Sequence, residues 1–155
     1  MMQDLIIARI VHVLAVVGWI GGVWFVTLVI FPVVRRTAEP TERLKAFHRI
    51  ESGFAPIARW LVMLAGASGF WITARADLWS RFASANFWWM HLMLGLWIVF
   101  MLMLFVAEPL VLHARMAAST KPAQDFERMA KLHMLLSAIG LLAVLGAVGG
   151  SHGLL

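Results

Sequence analysis

Apolar residues fall in four long runs divided by short polar stretches, with neither the one-sided spacing of a surface helix nor the alternation of a strand. About 20 consecutive apolar residues in a helix cross the hydrocarbon core of a bilayer, and a helix satisfies its backbone polar groups internally in lipid. The pattern therefore predicts an all-α fold, a four-transmembrane-helix bundle, with helices over about residues 5–34, 56–75, 87–113 and 131–151. The first run is free of charge after Arg9. The charge-free part of the second, Trp60 to Ala74, is short, so Arg59 and Arg75 are expected to stretch along their aliphatic stems to the two interfaces. The third carries Glu108-Pro109 near its end, a pair that fits either proton transfer or a helix kink. Trp79, Phe87, Trp88 and Trp89 gather at the start of that run, as an interfacial aromatic belt does. Thr41 to Ile50 reads as a short amphipathic helix, and Lys121 to Leu132 as an extension of the fourth span. Neither stretch is long enough for a domain, so residues 1–155 read as one membrane domain.

Composition agrees. Hydrophobic residues make up 62% of the chain and charged residues 14%, against about 25% charge in soluble domains; the mean hydropathy is +0.86. With no cysteine, disulfides, thiolate metal sites and Cys-x-x-Cys-His haem attachment are excluded. The net charge of +5 is read as basic loops facing anionic lipid, not as a nucleic-acid surface, because no polar basic domain exists to carry one. Met1-Met2-Gln3-Asp4 is not a positive leader, so the first run is read as a retained helix and not a signal peptide.

Basic residues give the orientation. Arg35, Arg36, Arg43, Lys45 and Arg49 follow the first span, and Arg115, Lys121, Arg128 and Lys131 follow the third; Arg9, Arg75 and Arg81 lie on the other side. Cytoplasmic loops carry the excess of Lys and Arg. Both termini are therefore expected to be extracytoplasmic, with the inner membrane of a bacterium as the expected location.

Small residues let helices approach in lipid. Gly18-x-x-x-Gly22, Ala65-x-x-x-Gly69 and Gly146-x-x-x-Gly150 mark contact faces. In the fourth span His133, Ser137, Gly140, Val144, Ala147 and Ser151 share a stripe that is expected to look into the bundle, while Leu135, Leu142 and Leu145 lie elsewhere. Such faces are also compatible with a homo-oligomer.

Ionisable residues inside a membrane are costly and commonly functional, so the histidines carry most of the readable chemistry. His12 and His91 fall at similar depth on two helices, near the extracytoplasmic side. Two imidazoles at matched depth in a helical bundle are the usual ligands of a b-type haem. A small residue beside each histidine, Ala15 on the first span and Gly95 on the third, would leave room for a flat macrocycle, with Gly18 and Gly22 flanking the face. Trp19 shares the face of His12, and Arg9, Arg75 or Arg81 can meet a propionate. His113 and His133, at the cytoplasmic side, form the corresponding pair for a second haem. His48 and His152 read as ordinary interfacial hydrogen-bonders. Copper is the alternative metal, since imidazole and thioether suit it and Met90, Met93, Met101 and Met103 lie in the third span.

The segment His12-Val-Leu-Ala-Val-Val-Gly-Trp19-Ile-Gly-Gly22-Val-Trp-Phe25 resembles the opening helix of the CopD-like copper-resistance proteins and of the HemJ-type protoporphyrinogen oxidases, small haem-binding membrane proteins. Glu51-Ser-Gly-Phe54-Ala-Pro-Ile-Ala-Arg59 is similar to both, and Trp89-Met-His91-Leu to the third HemJ helix. That family carries a lysine two residues after this histidine; Met93 stands here, which argues against porphyrin oxidation but not against haem. The ending Leu-Gly-Ala-Val-Gly-Gly-Ser-His-Gly is more CopD-like. The expectation is thus a membrane-embedded haem b protein of electron transfer or oxidoreduction, with quinol or a redox protein as partner. The alternatives are a CopD-like copper-handling protein without haem and a HemJ-like enzyme.

Overall fold

The first apolar run forms helix α1, Met2–Thr37, in a computed structural model that describes residues 2–112 and 119–154. It is α-helical over Met2–Phe25, widens to a π turn over Val26–Ile30, and returns to α over Phe31–Thr37. The widening has a cause in the sequence. Pro32 has no N–H to give the carbonyl one turn back, and its ring crowds that turn. Helix α2 is Arg43–Arg75, α3 is Trp88–Leu102, and α4 is Pro122–Ser151. The chain continues from α3 into a second π stretch, Met103–Leu112, which contains the second such proline, Pro109.

Among the described residues the protein is all helical, with four helices long and apolar enough to cross a membrane. Two begin well before their apolar runs. The stretch from Thr41 does not form a separate surface helix: from Arg43 it is continuous with α2, straight through Pro56. Helix α4 extends back to Pro122 as expected. These polar extensions have an inner face of their own. Phe31, Phe47 and Phe126 are fully buried together, with the Phe31 and Phe47 rings stacked at 4.4 Å. Burying that aromatic cluster holds three helices together beyond the ends of the apolar runs.

Helix α1 lies along α2, and α3 along α4. The mid-bundle core is built from small and aromatic residues, among them Ala15, Trp19, Val62, Ala65, Leu96 and Phe100. The expected small-residue faces are used in these pairings. A Cβ on Gly18 would lie 3.1 Å from the Leu61 side chain, and the Phe54 ring fills the space a Cβ on Gly22 would need. Gly146 and Gly150 accept the indoles of Trp88 and Trp89 in the same way. Trp89 is therefore a packing residue and not part of an interfacial belt, whereas Trp79 and Trp88 are exposed. On α4 the inner face drifts one residue from the expected stripe: Ser137 and Gly140 are buried, but Ala143 and Gly146 take over where Val144 and Ser151 were expected.

Candidate functional site

His12 sits on the inner stripe of α1, one turn before buried Ala15 and two before buried Trp19. Its ring turns toward α2. Nδ1 lies 2.9 Å from the Ala65 carbonyl oxygen and 3.2 Å from Ser68 Oγ. A Cβ on Gly69 would stand 3.0 Å from His12 Cε1, so the glycine is what admits the ring. Since Nδ1 donates to the carbonyl, the neutral imidazole keeps its lone pair on Nε2, which makes no hydrogen bond among the described residues. Ser68 is itself held by the Leu64 and Ala65 carbonyls.

Trp19 adds a second unusual group. Its ring meets Phe100 edge-on at 5.0 Å, in the middle of the apolar core. Its Nε1–H is buried and has no acceptor among the described residues. Two half-buried indoles do find one: Trp24 donates to the Ser137 carbonyl and Trp97 to that of Val62. An orphaned buried donor costs about 1–3 kcal/mol and calls for an explanation, such as a bound group that accepts from it.

His91 is placed otherwise than the sequence leads one to expect. The buried positions of α3 are Trp89, Met90, Leu96 and Phe100; His91 and Gly95 lie on the far side, where Ile98 and Leu102 are also exposed. Nδ1 of His91 is 3.1 Å from the Phe87 carbonyl oxygen and Nε2 is 3.0 Å from that of Phe82, with the Phe82 ring against it. The structure thus does not bring His12 and His91 together. Of the methionines of this turn Met90 is buried, and Met93, at helical spacing from Trp89 and Leu96, is half-buried. The room expected beside Gly22 is taken by Phe54, and the open space beside Gly95 faces outward.

At the opposite end His133 is enclosed. Its Nδ1 lies 3.0 Å from the Met129 carbonyl oxygen, and its ring meets Phe31 and Phe47 edge-on. His113, its expected partner, lies outside the described residues. Arg9 is exposed at the end that bears the termini. Arg75, there too, is held by Asp4 at 2.9 Å, and Arg81 stacks over Phe87.

Arg59 does not stretch away from its neighbours on its aliphatic stem, as the sequence reading expects. It turns into the bundle, its Nε donating to the Leu104 carbonyl and its Nη2 lying 3.1 Å from Glu108 Oε1. Glu108 is buried, inside the π stretch of the third span. Two opposite charges on separate apolar runs are the signal by which sequence reasoning can find such a pair.

Among the described residues, no group of three or more His, Asp or Glu side chains is gathered to hold a metal ion. The chain matches no model of a known protein family, no curated protein and no solved structure.

Proposed function

We infer that the chain is a b-type haem protein of the bacterial inner membrane, passing electrons to or from a lipid-soluble or protein partner, with His12 as an axial ligand. The observation that carries this reading is the His12 ring: Nδ1 is pinned to the Ala65 carbonyl, and the lone pair is left on Nε2. Histidines that bind metals are almost always oriented in this way through their other ring nitrogen. The acceptorless Trp19 N–H, on the same stripe, fits a bundle interior that takes up a polar group. Haem supplies one-electron chemistry; the chain would hold it, exclude water and set its ligands.

For the opposite ligand the packing favours Met93 over His91. Met93 is half-buried, at helical spacing from Trp89 and Leu96 of α3, while His91 must leave the Phe82 carbonyl and its helix must turn about its own axis. Imidazole with thioether is also a copper donor set, and this keeps a CopD-like copper protein as the second reading. Porphyrin oxidation of the HemJ type loses support, since Met93 cannot do the work of a lysine.

The test is an absorption spectrum of the detergent-purified protein. The expected result is a Soret band that shifts on adding dithionite, lost or turned high-spin in His12→Ala. Met93→Ala then changes the spectrum and His91→Ala leaves it, or the reverse if α3 turns. A colourless wild-type protein that takes up copper, and loses it in His12→Ala, replaces haem with the second reading.

A further inference from the structure

A crevice of about 90 Å3 opens between α1 and α2, in the half of the bundle nearer the basic loops. Phe25, Phe47, Phe54 and Ile50 supply apolar walls, Gly22 lies in the lining, and Glu51 is the charged residue among those that line it. The π turn Val26–Ile30 borders it, and such turns recur at functional sites. Its mouth is open to the outside of the bundle, at the junction of the polar extension of α2 with its apolar run: Phe25 is 56% exposed and Ile50 43%. His48 Nδ1 stands 3.5 Å from Glu51 Oε2.

The chemistry of these groups narrows the occupant. A carboxylate is an acceptor and selects a hydrogen-bond donor. The aromatic walls favour a flat ring, packed edge-on or offset. The space is well below the roughly 300 Å3 of a pocket that encloses a whole drug-sized ligand. A ring therefore enters edge-first and the rest of the molecule stays outside the crevice. We propose that the Glu51 crevice binds the ring of a lipid-soluble quinol, with a ring hydroxyl donating to the Glu51 carboxylate and the ring held among Phe25, Phe47 and Phe54. The choice of a redox-active lipid rests on the electron-transfer reading; the binding itself needs no haem.

The experiment is calorimetric titration of the full-length protein, in phosphatidylcholine nanodiscs, with decylubiquinol kept reduced and separately with decylubiquinone. The expected result is saturable, one-site binding of the quinol, about tenfold weaker binding of the quinone, which lacks the hydroxyl donors, and a loss of about tenfold in Glu51→Leu. Ile50→Trp, a change at the exposed mouth, blocks binding without touching the bundle core and keeps the test decisive if Glu51→Leu fails to fold. Non-saturable partitioning, equal affinity for quinol and quinone, or unchanged binding in a folded Glu51→Leu protein overturns the proposal. Loss of binding in phosphatidylethanolamine nanodiscs also overturns it, by giving the carboxylate to a lipid ammonium. The haem spectrum of the same preparation is read separately, so quinol binding without a Soret band counts against the haem reading alone.

Discussion

Three indoles packed between the helices show how differently one residue type can be used. Trp97 donates to the Val62 carbonyl and Trp24 to that of Ser137, whereas Trp19 N–H is buried without an acceptor among the described residues. Both Trp19→Phe and Trp97→Phe remove ring volume, but only the second breaks a hydrogen bond, the one that the Val62 carbonyl accepts beside its own helix bond. Trp97→Phe is therefore expected to destabilise the cofactor-free protein by about 1–2 kcal/mol more than Trp19→Phe. Thermal unfolding of both variants in one detergent measures this, and equal losses would show that Trp19 has an acceptor after all. His12 was legible from the sequence because it interrupts a charge-free run at a definite depth. The face of His91 was not. A helix that is apolar all round has no polar side to mark its exterior, so His91 and Met93 were equally eligible to point inward. Only the packing of Trp89, Leu96 and Phe100 against the other helices decides between them.

At the scale of elements, α3 and α4 meet through indoles laid on glycines. A Cβ on Gly146 would come within 2.7 Å of Trp88 and Trp89, and one on Gly150 would overlap the Trp89 ring. Gly95, on the outward face of α3, has open space beside it. Gly150→Leu is expected to cost about 1–3 kcal/mol or more through overpacking, while Gly95→Ala is neutral or slightly stabilising, since alanine is the better helix former. Unfolding of the two variants in detergent reads the contrast; equal stabilities would mean that α3 and α4 do not pack this way. A second joint is polar: Thr27 Oγ1 lies 2.8 Å from Ser137 Oγ, tying α1 to α4. Hydrogen bonds between membrane helices average about 0.6 kcal/mol. A double-mutant cycle with Thr27→Val and Ser137→Ala is expected to return about that coupling, and zero coupling would remove the contact. The glycine spacing announced these joints, but not their partners. Trp88 and Trp89 look like belt residues in the sequence, since an indole suits an interface as well as a glycine groove. The lengths of α2 and α4 were likewise hidden, because their polar ends are held by Phe31, Phe47 and Phe126 packing together and not by lipid.

For the whole molecule the decisive asymmetry is charge. All the described termini of the bundle lie at one end, where Asp4 and Arg75 join α1 to α2. At the other end Arg35 forms a two-pronged pair with Glu127, at 3.0 and 2.8 Å, joining α1 to α4. Both pairs are open to solvent, which screens them, so they fix alignment more than stability. The loops at the Arg35 end hold nine Lys and Arg (Arg35, Arg36, Arg43, Lys45, Arg49, Arg115, Lys121, Arg128 and Lys131), against Arg9, Arg75 and Arg81 at the other. Because the rule counts basic residues near span ends and largely ignores acids, the nearby Glu39, Glu42 and Glu127 do not offset them. The expectation is a basic end in the cytoplasm and both termini outside. Alkaline phosphatase fused after Leu155 is then active and a green fluorescent protein there is dark, while a fusion at Ser119 gives the opposite pair. Replacing Arg35, Arg36, Arg43, Lys45 and Arg49 with glutamine leaves four basic residues in these loops, nine less five, against three outside. With so small a bias the population is expected to split between orientations, and both reporters at Leu155 then give signal. A dark phosphatase and a bright fluorescent protein in the unmodified chain would reverse the topology. The Glu51 crevice would then lie in the outer leaflet and His12 in the inner one.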